Sequence, residues 1–464
     1  MKNSMLKLST LSAAVLSAST AMAGGFDNSD RSLDILFGDN NVITTSYGQT
    51  VVPMKARVDR VQRAETSAVD ASTKVIGSGK IVDDFSRPTV AFRYNITDKV
   101  TCATKFEQPY AASVAYNDDE VSYVETDDNG NALASDGSVY TGAAGQLIAT
   151  QSAPISTNYE SESITAVCGY DFALSTGELK VYGGPKIQKV KGSFDEDITP
   201  TAAAANDNLL VNLDGGSELG YVAGVAFSMP EIALRASLTY HSQVDYDATG
   251  TNKTYLPLSL VNPALTDQVV ETASTAKTFT PQSVEIALQS GIAENTLASI
   301  KMRWSEYSKL AELDVKGGNE FVPGTGNTMT MQDLAAASTS LDKLINPTVS
   351  MFSNDTFDYS LGLGHRINDN LSLGTSFSGS IKLGGKSADT PLGADSTSLR
   401  LPGDTSHTLS FGGEYAVIPG LKVNGGFGYT FINAYVVEET DSSYRAEFSK
   451  TEATSFQMGV SYEI

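Results

Sequence analysis

An aspartate, a serine and a histidine that meet in space are the residues from which a hydrolase builds a nucleophilic site. Asp404, Ser406 and His407 form such a group at the start of one predicted strand. A catalytic serine must lie within hydrogen-bond reach of its base, but neighbouring residues of a strand point to opposite faces. Ser406 and His407 therefore do not share a site, and the sequence predicts no enzyme activity.

Histidine and acidic residues are also the usual ligands of metal ions. The three histidines, His241, His365 and His407, have no metal-binding spacing, and no acidic run has the spacing of a Ca²⁺ loop. We predict neither a metal site nor a cofactor. Acidic residues outnumber basic residues by 54 to 32, which argues against a nucleic-acid surface, because such a surface needs clustered lysine and arginine.

The two cysteines, Cys102 and Cys168, lie on the apolar faces of predicted strands at similar distances from short turns. These two strands are expected to pair, which would place the sulfur atoms at a similar height. The cysteines are therefore candidates for a cross-strand disulfide in an oxidising compartment. The alternative is a pair of unbonded thiols that face lipid.

Apolar residues occupy every second position in about fourteen short segments of the chain. In the last of them Phe456, Met458, Val460 and Tyr462 alternate with small or polar residues. A period of two places the two sets on opposite faces of a strand. Strands with an apolar outer face and a small or polar inner face are typical of barrels that span a membrane. The sequence predicts an all-β, antiparallel transmembrane barrel of about 14 strands.

The gaps between these segments alternate in length. Tight turns such as Ile96-Thr97-Asp98 and Ile418-Pro419-Gly420 alternate with long gaps such as Pro109–Asn158 and Ala311–Asp355. Bacterial outer-membrane barrels have short periplasmic turns and longer extracellular loops. We therefore expect both chain termini to lie in the periplasm.

The N-terminal residues have the features of a secretory signal peptide. Lys2 and Lys7 precede an apolar stretch from Leu8 to Leu16, and Ala21-Met22-Ala23 is a small-x-small cleavage site. The predicted organisation is a signal peptide at residues 1–23, a short N-terminal plug segment at residues 24–41, and a barrel with long extracellular loops at residues 42–464.

Motifs in four segments follow one another in a shared order. They are Pro88–Phe106, Gly220–Phe227 with Thr239-Tyr240-His241-Ser242, Thr280-Pro281-Gln282-Ser283-Val284 with Arg303-Trp304, and Tyr359–Gly364 before Ile367-Asn368. In these segments the chain resembles the FadL/OmpP1/TodX family of outer-membrane transporters for long-chain fatty acids and other hydrophobic molecules. The resemblance implies a fourteen-stranded barrel, an N-terminal hatch inside it, ligand loading through apolar extracellular loops, and sideways release at a break in the third strand.

The region of the hatch departs from the family pattern. The Asn-Pro-Ala motif that usually precedes the first strand is absent, and Gly24 to Asn41 is too short for a full hatch. These residues form either a reduced plug or a simple lead into the first strand. For a plug, the candidate ligand-binding residues are Leu33, Ile35, Leu36 and Phe37.

One long gap contains apolar residues at helical spacing. Met331, Leu334, Leu341, Leu344 and Ile345 fall on one face of a predicted loop helix. That face either forms a groove for an alkyl chain or packs on its neighbours. We take the five residues as candidate ligand-binding residues.

Pro109, at the end of the predicted third strand, is the candidate for the lateral exit. Proline has no N–H to give to a strand ladder and is confined to edges, strand ends and bulges. Either the pairing fails there and opens the wall to lipid, or Pro109 simply ends the strand.

Together these features predict a monomeric, multi-pass protein of the bacterial outer membrane. It takes up long-chain fatty acids or a similar lipophile by passive diffusion through a plugged barrel, and it contacts outer-membrane lipid and lipopolysaccharide. The alternative is a general diffusion porin for polar solutes, which would need an open lumen.

Overall fold

β-Strands account for most of the residues that the computed structural model describes. The described residues are 26–29, 31–38, 40–61, 72–75, 80–115, 123–124, 155–197, 208–256, 258, 266, 268–351, 354–383, 401, 405–439 and 444–464. The helices among them are too short and too polar to cross a bilayer. The predicted signal peptide lies outside the described residues.

The strands up to residue 256 are β1 (Val42–Val51), β2 (Ala56–Val61), β3 (Ser72–Val75), β4 (Phe85–Thr97), β5 (Val100–Glu107), β6 (Ala111–Ala115), β7 (Tyr123–Val124), β8 (Ile155–Leu174), β9 (Gly177–Asp197), β10 (Asn208–Met229), β11 (Leu234–His241) and β12 (Val244–Leu256). Those that follow are β13 (Gln268–Thr280), β14 (Ser283–Ala293), β15 (Thr296–Ser305), β16 (Glu312–Gly317), β17 (Thr348–Ser350), β18 (Asp355–Arg366), β19 (Leu371–Leu383), β20 (Ser406–Ile418), β21 (Leu421–Ile432), β22 (Tyr435–Glu439), β23 (Tyr444–Phe448) and β24 (Thr451–Glu463). The helices are α1 (Met331–Ala337) and α2 (Thr339–Ile345), with 3-10 turns at Asp34–Leu36, Pro230–Ile232 and Ser308–Leu310.

The wall of the molecule closes on itself. Its strands follow the order β1, β4, β5, β8, β9, β10, β11, β14, β15, β18, β19, β20, β21 and β24, and β24 pairs with β1. Val42 of β1 is opposite Glu463 of β24 on one side and Arg93 of β4 on the other. The prediction of an all-β antiparallel barrel is confirmed, with 14 wall strands among the described residues.

Large apolar side chains of the wall point outward and small polar side chains point inward. On β20, Leu409 and Phe411 are exposed, whereas Ser406, Thr408 and Ser410 are buried. The same alternation on the other wall strands leaves an apolar outer surface, which suits lipid and would be unfavourable in water.

Short turns join wall strands at one end of the barrel, which we call the short-turn end; the opposite end is the loop end. Both ends of the wall sequence lie at the short-turn end, where the Ile464 N–H donates to the Asn41 carbonyl at 3.0 Å. Asn295 (φ 58°) and Gly420 (φ 82°) supply the left-handed backbone of two of these turns. The predicted tight turns are therefore in place, and their periplasmic orientation stays a prediction.

At the loop end, additional strands extend beyond the closed wall. There β12 pairs with both β10 and β13, and a second sheet forms in the order β22-β23-β2-β3-β7. A break at residues 433–434 separates β21 of the wall from β22 of the second sheet. The second sheet was not predicted, since its strands are short and come from three separate loops.

Cys102 of β5 and Cys168 of β8 are directly opposite each other in the wall. The structure joins them as a disulfide with an S–S distance of 2.06 Å. Both side chains lie on the outward face, because their neighbours Thr101 and Val167 are buried on the inward face. The bond connects the part of β5 near the short-turn end to β8.

We expect this disulfide to form in the native protein. Protein denatured without a reductant should then have no thiol that reacts with a maleimide, and treatment with a reductant should expose both cysteines. The Cys168→Ser variant is the control, because its single cysteine should react without reduction. Labelling of two thiols in unreduced wild-type protein would show that the bond is absent; mass spectrometry gives the count.

Candidate functional site

The N-terminal segment, which comprises the described residues 26–41, contacts inward-facing side chains of several wall strands. Its apolar residues form a cluster near the short-turn end, which we call the lower apolar cluster. That cluster contains Leu33, Leu36, Ala103, Val167, Tyr182, Val222 and Ala226, with Ile35 and Phe37 packed against it. The predicted apolar plug residues therefore face the lumen, and their role in ligand binding stays a prediction.

Basic side chains of the wall bind the backbone of the N-terminal segment. Arg93 donates from Nε to the Asn40 carbonyl at 2.6 Å and from Nη1 to the Phe37 carbonyl at 2.8 Å. Lys105 donates from Nζ to the Ser32 carbonyl at 3.0 Å. These contacts provide hydrogen-bond donors for three carbonyl groups of the segment.

Asp34 connects the segment to the opposite side of the barrel. Its carboxylate lies 2.5 Å from Arg235 Nη2 of β11 and 3.6 Å from Lys301 Nζ of β15. The Arg235 guanidinium also lies over the Phe37 ring, 4.4 Å from its centroid. The inward-facing charges of the wall therefore hold the N-terminal segment from both sides.

A buried charge cluster is built around Asp27, which we call the Asp27 cluster. Asp27 Oδ2 accepts hydrogen bonds from Arg31 Nη2 at 2.6 Å, from Arg303 Nη2 at 3.2 Å and from the Tyr307 hydroxyl at 3.3 Å. Arg303 also donates to Asp358 at 3.0 Å. Residues far apart in the chain are thus linked through one carboxylate.

Burial acts in opposite ways on the two N-terminal members of this cluster. Burial raises the pKa of Asp27, although Arg303 and Arg31 act to lower it. Burial acts to lower the pKa of Arg31, but Asp27 together with Tyr110 and Tyr307 outweighs burial, and the pKa of Arg31 is raised. Arg31 therefore stays charged and depends on Asp27 as its counterion.

The third strand of the wall is interrupted at Pro109. β5 ends at Glu107 and β6 begins at Ala111, and both pair with β8. On the other side, β4 pairs with β5 only as far as Val90 opposite Phe106. Pairing resumes nearer the loop end, where Val82 forms a bridge with Val114. We call the unpaired stretch, residues 84–89 facing residues 107–112, the wall gap.

The N-terminal segment supplies backbone partners at the wall gap. The Asn28 N–H donates to the Pro109 carbonyl at 2.8 Å, and the Ala111 N–H donates to the Phe26 carbonyl at 2.9 Å. The Asn28 side chain donates to the Ser86 carbonyl of β4 at 3.1 Å. The segment thus takes the place of the missing neighbour of strand three and also satisfies a carbonyl of β4.

Aromatic side chains fill the lumen beside the wall gap. The Phe26 ring lies 5.2 Å from Tyr110, 4.8 Å from Tyr159 and 5.8 Å from Tyr307, measured between centroids. These rings belong to a larger group that extends toward the loop end, which we call the upper aromatic cluster. Its other members include Val190, Phe194, Leu213, Val244, Tyr246, Leu310, Val315 and Met351. The lumen is therefore lined by apolar side chains beside the wall gap, whereas a channel for polar solutes would be filled with water there.

The predicted loop helix is two short helices, α1 and α2. Met331, Leu334, Leu341 and Ile345 are buried in a cluster with apolar residues of neighbouring loops, and Leu344 packs against it. Thr330 caps α1, and its hydrogen bonds to Asp333 lower the pKa of that exposed carboxyl. The apolar faces pack together in this conformation, and their role in ligand binding stays a prediction.

The candidate nucleophilic group does not form a site. Ser406 is fully buried on the inward face, whereas His407 stacks on the outward-facing Phe377 ring. The His407 ring nitrogen lies 2.9 Å from the Tyr359 hydroxyl. Asp404 lies outside the described residues.

Several residues of the site were not identified from the sequence. Phe26, Asp27 and Arg31 lie in the short segment before the first strand, and Tyr110 follows Pro109 directly. The signal that could have found them was an opposite-charge pair four residues apart within a short apolar segment. Their wall partners, such as Arg303, lie too far away in sequence to be paired with them by pattern.

Comparison with known proteins agrees with this architecture. The profile of the family described as "Outer membrane protein transport protein (OMPP1/FadL/TodX)" matches residues 162–464. The chain belongs to this family. The resemblance seen in the sequence is thereby confirmed, and no curated protein sequence matches the chain.

Solved structures share the barrel fold of this OMPP1/FadL/TodX family member at low sequence identity. A FadL homologue from Pseudomonas aeruginosa has 12% identity and a TM-score of 0.63, with 97% of this chain and 100% of that chain covered. The monoaromatic hydrocarbon channel CymD has 10% identity and a TM-score of 0.54, with 97% and 98% covered. The toluene transporter TbuX of Ralstonia pickettii has 10% identity and a TM-score of 0.50, with 92% and 90% covered.

Membership of the OMPP1/FadL/TodX family confirms two of the broader predictions. The protein is an outer-membrane transport barrel, and it is not an enzyme, because the family is one of transport proteins. The fatty-acid substrate, the lateral exit and the orientation of the termini stay predictions.

We predict that Asp27→Ala releases the N-terminal segment from its contacts with the wall. Loss of the shared carboxylate leaves Arg31 buried without a counterion, which costs about 3 kcal/mol, or roughly a 100-fold larger undocked population. The measurement is maleimide labelling of Leu36→Cys in folded protein whose natural cysteines are replaced by serine. Labelling should be much faster with Asp27→Ala.

Asp369→Ala is the matched control, because Asp369 is exposed in a short turn and distant in sequence from the segment. It should leave the labelling rate of Leu36→Cys unchanged. Equal rates for Asp27→Ala and Asp369→Ala would mean that the Asp27 cluster does not hold the segment in place.

Proposed function

We propose that this protein takes up long-chain fatty acids or similar hydrophobic molecules across the bacterial outer membrane by passive diffusion. Cargo enters through the loops, crosses the upper aromatic cluster and leaves sideways into the membrane through the wall gap beside strand three. The wall gap is the observation that carries the proposal, because a barrel that discharged its cargo into the periplasm would need no break in its wall.

The loop end supports capture of an apolar molecule. Met331, Leu334, Leu341, Leu344 and Ile345 provide an apolar surface that faces inward between loops. Short helices joined to flexible loops can separate at modest cost, so that a ligand replaces the contacts between them. On this proposal the five residues form the first binding surface.

The lumen supports passage of the same kind of molecule. Each CH₂ group that moves from water into the upper aromatic cluster contributes about 0.8 kcal/mol. Tyr110 and Tyr159 place this surface directly against the wall gap, so a ligand that occupies the cluster is already beside the exit. The hydrophobic compounds named for CymD and TbuX are in keeping with a lipophilic cargo.

Pro109 supports the exit itself. It has no N–H, so β4 cannot bond to strand three at that residue, and its carbonyl is turned to the N-terminal segment. Movement of the N-terminal segment would remove the partners of Pro109, Ala111 and Ser86 together. Opening of the wall gap is thereby coupled to displacement of the segment, which acts as a reduced plug.

The remaining parts of the proposal concern placement in the cell. Residues 1–23 are removed as a signal peptide, both termini lie in the periplasm, and the monomer is surrounded by outer-membrane lipid and lipopolysaccharide. The short-turn end, where Val42 and Ile464 lie, supports this orientation because outer-membrane barrels place their short turns in the periplasm.

A crosslink across the wall gap tests the exit. Pro88→Cys and Gln108→Cys continue the register of β4 and β5 on the outward face, in protein whose natural cysteines are replaced by serine. A short bismaleimide that joins them should block most uptake of radiolabelled oleate by cells, because the wall can no longer open.

The matched control joins Phe92→Cys to Thr104→Cys, which are opposite each other in the paired part of the same strands. This crosslink should leave uptake at the wild-type level. Unchanged oleate uptake after crosslinking of the gap would exclude the lateral exit, and uptake by wild type no greater than by a deletion strain would exclude fatty-acid transport.

Replacement of the proline gives an independent prediction. Pro109→Ala restores an N–H and should favour regular pairing of strand three, so oleate uptake should be slower while the barrel stays folded. Folding is checked by the heat-dependent change in gel mobility that intact barrels show. Pro53→Ala, outside the wall strands, is the control. Unchanged oleate uptake by correctly folded Pro109→Ala would contradict the proposed role.

A further inference from the structure

Strand three, which consists of β5 and β6, is held differently on its two sides. Toward β4 the pairing is interrupted at the wall gap, where the N-terminal segment supplies the partners of Pro109 and Ala111. Toward β8 the attachment continues through the break. β5 and β6 both pair with β8, and between them the Ser161 hydroxyl accepts from the Tyr110 N–H and donates to the Tyr110 carbonyl, both at 2.8 Å. Departure of the segment would therefore remove partners on the β4 side.

Nearer the short-turn end, backbone pairing does not distinguish the two neighbours of β5. From Val100 onward, β5 pairs with β4 as far as Phe106 opposite Val90. From the same residue it pairs with β8 as far as Glu107 opposite Ser163. Both ladders are antiparallel and nearly equal in length, so their hydrogen bonds do not decide which neighbour β5 follows when the wall gap opens.

The disulfide decides between these two neighbours. Cys102 of β5 is bonded to Cys168 of β8, whereas its opposite residue on the other side is Tyr94 of β4, to which it is joined by strand pairing. A ladder of hydrogen bonds opens locally and closes again, but a covalent bond does not. β5 is therefore attached to β8 permanently at this level and to β4 reversibly.

The position of the disulfide suits an anchor for strand three. Cys102 lies about 17 Å along the strand from Glu107, where the wall gap begins, on the side of the short turns. The bond spans a sequence separation of 66 residues, and the enclosed chain includes the wall-gap residues 107–112 and β6. The base of strand three is thus fixed, while its part beside the gap is left free to move. Both sulfur atoms face outward, so the bond takes no space in the lumen.

We propose that the Cys102–Cys168 disulfide fixes strand three to β8 and thereby confines opening of the wall to the seam between β4 and strand three. This inference rests on the proposed function, because it concerns how the wall gap opens. In protein without the bond, displacement of the N-terminal segment also opens the ladder between β5 and β8.

The test is hydrogen–deuterium exchange, read by mass spectrometry on the purified full-length barrel, with Asp27→Ala to displace the N-terminal segment. With the disulfide intact, Asp27→Ala should speed exchange in residues 85–92 of β4 and leave residues 161–168 of β8 unchanged. In protein with Cys102→Ser and Cys168→Ser, Asp27→Ala should also speed exchange in residues 161–168, by about tenfold, because that ladder can then open.

A relocated bond is the matched control. Thr104 and Ala166 are directly opposite each other on the outward face of β5 and β8. Cysteines placed at both positions in the serine protein and oxidised should restore slow exchange in residues 161–168. Tyr170 and Val181 are opposite each other on β8 and β9, and a bond placed there should not restore it. The heat-dependent change in gel mobility checks that each variant is folded.

Unchanged exchange in residues 161–168 after loss of both the disulfide and Asp27 would overturn the proposal. Faster exchange there with the bond intact would also overturn it, as would unchanged exchange in residues 85–92. If Asp27→Ala fails to fold, Arg31→Met replaces it, because it also breaks the Asp27 cluster. Exchange is measured without cargo, so a failure of cells to take up oleate would exclude fatty-acid transport and leave this inference standing.

Discussion

Backbone N–H and C=O groups inside a bilayer have no water with which to form hydrogen bonds, and this constraint governs the structure. A wall of 14 strands satisfies it almost everywhere by closing on itself, with β24 paired to β1. The exception is the wall gap, where Pro109 and the neighbouring residues of strand three turn away from β4. Asn28 and Phe26 then provide the partners that the wall lacks. The integrity of the wall therefore depends on a segment that is not part of it.

The Asp27 cluster explains how such a segment is held in place. Asp27 lies next to Asn28 in the chain. The Asp27 carboxylate binds Arg31 and Arg303, and the Asn28 side chain donates to the Ser86 carbonyl. These two side chains therefore move together. A buried ion pair tolerates little change in geometry. If one partner moves only part of the way out, the pair loses its electrostatic attraction while both charges stay away from water. The segment is thus expected to have two arrangements, bound or displaced, with few states between them.

The sequence was sufficient for the features that depend on local pattern. The alternation in strands such as Phe456–Tyr462 identified the two faces of the wall, and the tight turns around Asn368 and Pro419 identified one end of it. The sequence could not decide whether Pro109 breaks the pairing of the wall or simply ends a strand. The answer depends on contacts with Phe26 and Asn28, about eighty residues earlier in the chain. Likewise Arg31 and Arg303 share a carboxylate only because the closed barrel brings them together. The small sheet at the loop end was missed for the same reason.

The lumen is layered along the barrel axis, and the order of the layers has a physical consequence. The lower apolar cluster, with Leu33 and Leu36, lies nearest the short-turn end, and the buried side chains of Lys186 and Gln188 lie above it. The upper aromatic cluster then leads to the loops. A fully apolar molecule that descends from the loops is stable in the upper aromatic cluster but gains nothing beside Lys186 and Gln188, because it cannot form hydrogen bonds with their buried polar groups. This layer therefore disfavours the downward path, and on the proposed function the wall gap beside Tyr110 is the nearest apolar direction. The proposed lateral route agrees with this order of layers, and it requires the N-terminal segment to leave its partners at the wall gap.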